Sequence, residues 1–218
     1  MTVQLEDYGT FCPRAIAIRT DPMLRIQGYA KPDKVRPAIR STAETMAVLA
    51  GRLFVPEVYY RRVEIKSCGD DMILLETGTT FHSDAFAGVL HDCRAVIVFI
   101  LTLGINVDQV LEEFSQKGQM LEALFLETAG WLGVEAATKF FTQHLRTIAR
   151  KQGNRITRRF GPGYSDKAGS QTCYWPLEDQ KPLFALFAGV SLSVKLLDSC
   201  AMIPKMSRSG LYGLRPCP

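Results

Sequence analysis

Two short stretches hold residue types that suit an anionic small molecule. Arg158-Arg159-Phe160-Gly161-Pro162-Gly163-Tyr164 sets two glycines around a proline, the composition of a tight turn whose backbone is not covered by side chains. Just before the turn, Arg159 offers a planar fork for a carboxylate or phosphate; just after it, Tyr164 offers a ring face and a hydroxyl. Alone, such a segment is more often an ordinary surface turn than a site. The second stretch runs from Met202 to Tyr212 and places Ser207 and Ser209 beside Gly210, where a ligand could approach the backbone, with Tyr212 as a lid or stacking partner. Alone, it is more often a hairpin with a polar tip.

Other chemistry is thin. The six cysteines stand at 12, 68, 93, 173, 200 and 217, the closest pair seventeen apart, so no C-x-x-C zinc knuckle or redox pair exists. His82, His91 and His144 are too few and too scattered for an H-E-x-x-H metal site. No catalytic residue and no metal ligand is nominated.

Charge is uneven. The chain carries 26 Lys or Arg against 22 Asp or Glu, a net +4. From Ala136 to Ser165 there are seven cations (Lys139, Arg146, Arg150, Lys151, Arg155, Arg158, Arg159) and no acid. This is either a solvated helix face and loop or a surface for an anionic ligand or partner. Without regularly interleaved aromatics it ranks nucleic acid below a small anion or an acidic protein.

The elements that must position these residues are mixed. The spacing of Val35, Ile39, Met46, Leu49 and Leu53 predicts a helix over Asp33–Leu53, capped by Asp33 with Pro37 in its first turn. Pro56–Ile65 reads as strand, His82–His91 as a short helix, and Ala95–Leu103 as a continuous apolar, central strand ended by Gly104. Val107–Phe114 begins a helix. The longest helical signal runs from Gln119 to Lys151, with Leu121, Leu124, Phe125, Phe140, Phe141, Leu145 and Ile148 as its apolar stripe. Gly130 and Gly133 either split it or permit a close backbone approach. After Gly153 come an extended piece and the Gly161–Gly163 turn; Leu183–Phe187 reads as helix, and the tail from Val190 as two strands joined near Pro204.

The 218 residues, 47% hydrophobic and 22% charged, have a globular composition and bury a core unaided. The longest apolar run, Ala95–Leu101, is far short of the roughly 20 residues of a membrane helix, and the first residues lack the pattern of a signal peptide. The expectation is a cytoplasmic chain with reduced thiols and no membrane partner. It forms one compact α+β domain over 1–218, with 1–20 open as a loosely attached segment.

Three ordered motifs resemble the activation (reactivation) domain of cobalamin-dependent methionine synthase, above all its free-standing form. They are Arg159 with Pro162-Gly163-Tyr164; Trp175-Pro176-Leu177-Glu178 with Gln180; and Ser199, Ala201, Met202, Pro204, Ser207, Ser209, Gly210 and Tyr212. Leu101-Thr102-Leu103-Gly104 and Glu135-Ala136 fit the same form, and the likeness spans about Leu24 to Leu214. It implies a central, largely antiparallel sheet with flanking helices and a groove for S-adenosylmethionine. In that groove Arg159 holds the methionyl carboxylate. Gly161, Pro162 and Gly163 present backbone, Tyr164 faces the ligand, Ser209 and Gly210 line it, and Tyr212 lies near the sulfonium with Glu135 as the best carboxylate. Asp21 matches an N-terminal aspartate of the family.

The chain departs from the family at Gly153, where the fused form has a glutamate. It also departs in an insertion over Lys167–Tyr174, and in Lys205-Met206-Ser207, where the lysine–serine pair is shifted by one. No D-x-H-x-x-G segment exists, so any cobalamin belongs to a partner. The absence of an acid followed by G-x-G-x-G argues against a common Rossmann-type methyltransferase. The implied role is reductive methylation of cob(II)alamin on a separate corrinoid methyltransferase, or on a methionine synthase lacking this domain, with a flavodoxin or ferredoxin as reductant. Two other readings stand beside it: a sensor of S-adenosylmethionine that transfers nothing, and a basic adaptor for RNA or an acidic protein.

Overall fold

The computed structural model describes residues 8–168 and 171–217. Residues 1–7 of the expected N-terminal segment and 169–170 of the expected insertion lie outside them. In chain order the elements are β1 (Tyr8–Phe11), α1 (Thr20–Ile26), α2 (Pro37–Leu53), β2 (Glu57–Cys68), β3 (Met72–Leu75), β4 (Thr80–His82), α3 (Phe86–Leu90), β5 (Ala95–Thr102), α4 (Asn106–Gln116) and α5 (Met120–Lys151). They continue with β6 (Asn154–Phe160), β7 (Ser165–Ala168), β8 (Gln171–Tyr174), α6 (Gln180–Ala185), β9 (Lys195–Leu196), β10 (Met202–Ile203) and β11 (Ser207–Pro216).

All eight residues of β5 are buried, as a strand must be that has neighbours on both edges and layers on both faces. Its neighbours β2 and β11 run antiparallel to it. The sheet order is β4-β3-β2-β5-β11-β6, with β1 beside the first half of β2, and every pairing is antiparallel. Alternation along β5 separates two cores. Ile97, Phe99 and Leu101 meet α2 and α5, whereas Val96, Val98 and Ile100 meet Phe86, Trp175 and Leu183. The expected α+β class and largely antiparallel sheet are the observed ones.

Helix α5 runs unbroken for 32 residues. Its two glycines are close approaches, not breaks. A Cβ on Gly130 would lie 2.6 Å from Met206 Sδ, and one on Gly133 would lie 2.7 Å from the Phe54 ring. The predicted stripe is right at Phe125, Phe141, Leu145 and Ile148 but wrong at Leu121, Leu124 and Phe140, which are exposed. The seam against the sheet is completed instead by small residues, Ala129, Gly130, Gly133 and Ala137, whose weak hydrophobicity hides them from a periodicity reading.

Other boundaries shift for local reasons. Asp33 sits in a 3-10 turn (Pro32–Lys34), and α2 starts at Pro37, whose fixed φ suits the first helical position and holds Arg36 extended. The predicted helix over His82–His91 is strand up to His82 and helix from Phe86. Helix α6 starts at Gln180, earlier than expected. Strands β10 and β11 do flank Pro204, but β10 pairs with β9 outside the main sheet. The described residues of the expected insertion lie on β7 and β8, which pair antiparallel.

The Trp-Pro-Leu-Glu-x-Gln motif braces the fold through Trp175 and Gln180. Trp175 is buried edge-on to Phe81 and Phe86 and donates to Asp179 Oδ2 at 2.8 Å. Buried Gln180 donates to the Cys200 carbonyl and accepts from Ser209 Oγ, each at 2.9 Å. It thereby ties the segment before β10 to β11. No helix among the described residues is long and apolar enough to cross a membrane.

Candidate functional site

Strand β6 is the sheet edge and stays beside β11 only to Phe160, opposite Leu211. Gly161 then turns the chain away, and among the described residues no strand pairs with that edge of β11 from Ser207 to Gly210. The turn is fixed by Gly163, left-handed at φ +81°, whose N–H donates to the Trp175 carbonyl at 2.8 Å. A Cβ on Gly161 would lie 2.8 Å from Arg159 Nη1, the end of a flexible side chain, and 3.3 Å from the Ser209 carbonyl oxygen.

Arg159 stands opposite Tyr212 in the ladder, with its guanidinium 5.2 Å from the Tyr164 ring centre. Nη1 is buried and has no hydrogen-bond partner. Burial, and next the nearby Arg208 cation, lower the Arg159 pKa. A buried donor without an acceptor is costly, so an anion placed here would satisfy a group the fold leaves open.

Arg208 is 5% exposed and shares a face of β11 with Tyr212. It donates to Thr138 Oγ1 at 3.1 Å and to Glu135 Oε1, both on α5. The Arg208 hydrogen bond holds the Glu135 carboxyl below its ordinary 4.5, against the opposing effect of burial. A depressed carboxylate contributes stability that is present above its unfolded pKa and lost as pH falls through the folded one. Glu135 should therefore stabilise the fold at neutral pH and stop doing so only below pH 4.5. Its side chain is 64% exposed, so the effect is small. Acid titrations of wild type and Glu135→Gln, followed by circular dichroism, should diverge above that pH and converge below it.

Tyr212 is a wall and not a lid. It is 1% exposed, tilted against Phe99 and edge-on to Phe141, and its hydroxyl shares a 2.7 Å hydrogen bond with Thr142. Burial raises its pKa.

Two hollows flank the Glu135–Arg208 pair, Glu135 lining one and Arg208 the other. The first, about 540 Å³ between α5 and β6, is lined by Glu135, Arg159 and Tyr212 with Lys139, Arg146 and Arg158. The second, about 370 Å³ at the open edge of β11, is lined by Pro162, Gly163, Tyr164, Ser207, Arg208 and Ser209 among others, with Trp131 and Tyr174 exposed on its rim. Gly161, an expected site residue, sits against Arg159 and Tyr164 but lines neither hollow.

Two further expected residues also line neither hollow. A Cβ on Gly210 would overlap the Phe160 carbonyl, so this glycine lets two strands meet and lines neither hollow. Asp21 pairs with Arg40 at 3.3 Å and also lines neither. Of the seven clustered cations, Arg150, Lys151 and Arg155 do not line the first hollow. Gly153 closes α5 in the left-handed conformation at φ +69°. Arg208, Thr138 and Thr142 escaped the sequence reading, although strand alternation from Tyr212 through Gly210 pointed to Arg208.

No group of three or more His, Cys, Asp or Glu among the described residues is placed to hold a metal. No family model matches this chain, and no curated protein matches it by sequence. Its fold is that of the MetH reactivation domain. The crystal structure of that domain bound to AdoHcy is similar at a TM-score of 0.67 and 16% identity, with 98% of this chain and 79% of that one covered.

Proposed function

We propose that the chain binds S-adenosylmethionine in the paired hollows and supports reductive methylation of cob(II)alamin carried by a separate corrinoid protein. The observation that carries this reading is Arg159, whose buried Nη1 has no partner and lies against Gly161, its guanidinium beside the Tyr164 ring. The methionyl carboxylate satisfies that donor by a charge-assisted fork. Pro162, Gly163, Tyr164 and Ser209 border the rest of the ligand, while the open backbone edge of β11 supplies hydrogen-bonding groups. The likeness to a domain solved with AdoHcy supports the same reading.

The bound donor supplies a transferable methyl group; the chain supplies position. Arg159 anchors one end, Tyr212 and Thr142 form a fixed wall, and both hollows open to solvent where a partner can approach. The partner is a methionine synthase lacking such a domain or another corrinoid methyltransferase, in the cytoplasm, with a flavodoxin or ferredoxin as reductant.

Millimolar S-adenosylmethionine should raise the melting temperature of the purified protein and give a calorimetric binding signal. With a one-electron reductant and the cob(II)alamin form of a corrinoid methyltransferase, the protein should speed the appearance of methylcobalamin absorbance. Absence of binding removes the reading altogether. Binding without transfer leaves a sensor.

A further inference from the structure

We propose that Arg208 sets the charge preference of this site, so that it holds the neutral thioether S-adenosylhomocysteine more tightly than the sulfonium S-adenosylmethionine. The inference rests on the ligand reading above and concerns which sulfur the site accepts.

The carboxyl carbon and the sulfur of either ligand are joined through three methylene or methine carbons, a reach of about 5 Å. A carboxylate on Arg159 therefore keeps the sulfur among the charges around that residue. The ligand carboxylate offsets Arg159. The one acid lining the first hollow, Glu135, is hydrogen-bonded by Arg208 and so is already offset. Among the described residues, no acid lines the second hollow. Lys139 and Arg146 line the first hollow, are exposed, and form no ion pair among the described residues. Arg208 is buried and fixed by Thr138, so it cannot swing away from an incoming cation. The two ligands share the same ammonium, carboxylate and nucleoside and differ by one methyl group and one positive charge on sulfur. Among the described lining residues, that charge finds no uncompensated carboxylate and several cations.

The experiment is calorimetric titration of the full chain with each ligand at low salt. Wild type should bind S-adenosylhomocysteine on the order of tenfold more tightly, the size expected for one unmatched charge near a partly screened surface. The ratio should shrink as sodium chloride is raised. Arg208→Met frees Glu135 and should swing the ratio toward S-adenosylmethionine. Glu135→Gln, which leaves Arg208 in place, should widen it and keeps the test available if the first variant does not fold. A purely structural role for either residue would weaken both ligands alike and leave the ratio unmoved, which overturns the assignment. Equal affinities in wild type, or tighter S-adenosylmethionine, overturn it too. If neither ligand binds, the ligand reading fails first and this inference falls with it.

Discussion

Gly210→Ala should remove about 4 kcal/mol or more of folding stability, at the upper end for a single substitution, and disable the candidate site in the same step. Its Cβ would overlap the Phe160 carbonyl oxygen and lie 3.1 Å from the Phe99 ring. A backbone carbonyl cannot rotate away as a side chain can. Relief requires β6 to separate from β11, and Arg159 is the residue just before Phe160 on that strand. The urea midpoint should fall steeply. Gly130→Ala provides the contrast: its Cβ would meet the flexible end of Met206, and alanine regains about 1 kcal/mol of helix propensity, so the loss should be far smaller. Similar losses from both would mean that the β6–β11 contact is not the tight one.

That contrast also shows what the sequence made readable. A run of seven apolar residues needs two sheet neighbours and two covering layers, so β5 and its central place were legible from Ala95–Leu101 alone. The helical period over Gln119–Lys151 gave α5, and the three ordered motifs implied the antiparallel sheet. Periodicity weights large residues, however. It favoured Leu121, Leu124 and Phe140, while the buried seam runs through Ala129, Gly130, Gly133 and Ala137. Asp33 had the side chain of a cap, but Pro37 decided where the helix could begin.

The site was legible in part, for a related reason. Turn chemistry is local, so Arg159, Gly161, Gly163 and Tyr164 could be nominated together and are found together. Gly210 looked like an opening for a ligand because a glycine in sequence does not reveal what it faces. The Glu135–Arg208 pair joins residues 73 positions apart, and only the packing of α5 on β11 brings them together. Cation clustering in sequence was likewise a loose guide: four of the seven face one hollow because helix and strand periods sort them.

Arg159→Ala should weaken S-adenosylmethionine binding by roughly 1.5–3 kcal/mol, or about 10- to 150-fold in Kd, without lowering the melting temperature of the free protein. The two halves of this expectation have one cause. A charged group buried with an unpartnered nitrogen beside a second guanidinium is unfavourable to the empty fold and useful only when an anion arrives. Removing it relieves the desolvation and the repulsion from Arg208, which offsets the lost packing against Tyr164. Arg158→Ala is the matched control. Its side chain is exposed, packs 4.8 Å from the Phe160 ring centre, and points charge at the same hollow without being buried in it. Its loss should change ligand affinity little, and that change should vanish with added salt. Titrations of both variants with both ligands, run beside thermal melts, decide the matter. Equal losses from the two arginines would mean that general positive charge draws the ligand. A fall in the melting temperature of Arg159→Ala would mean that this arginine serves the fold before it serves a ligand.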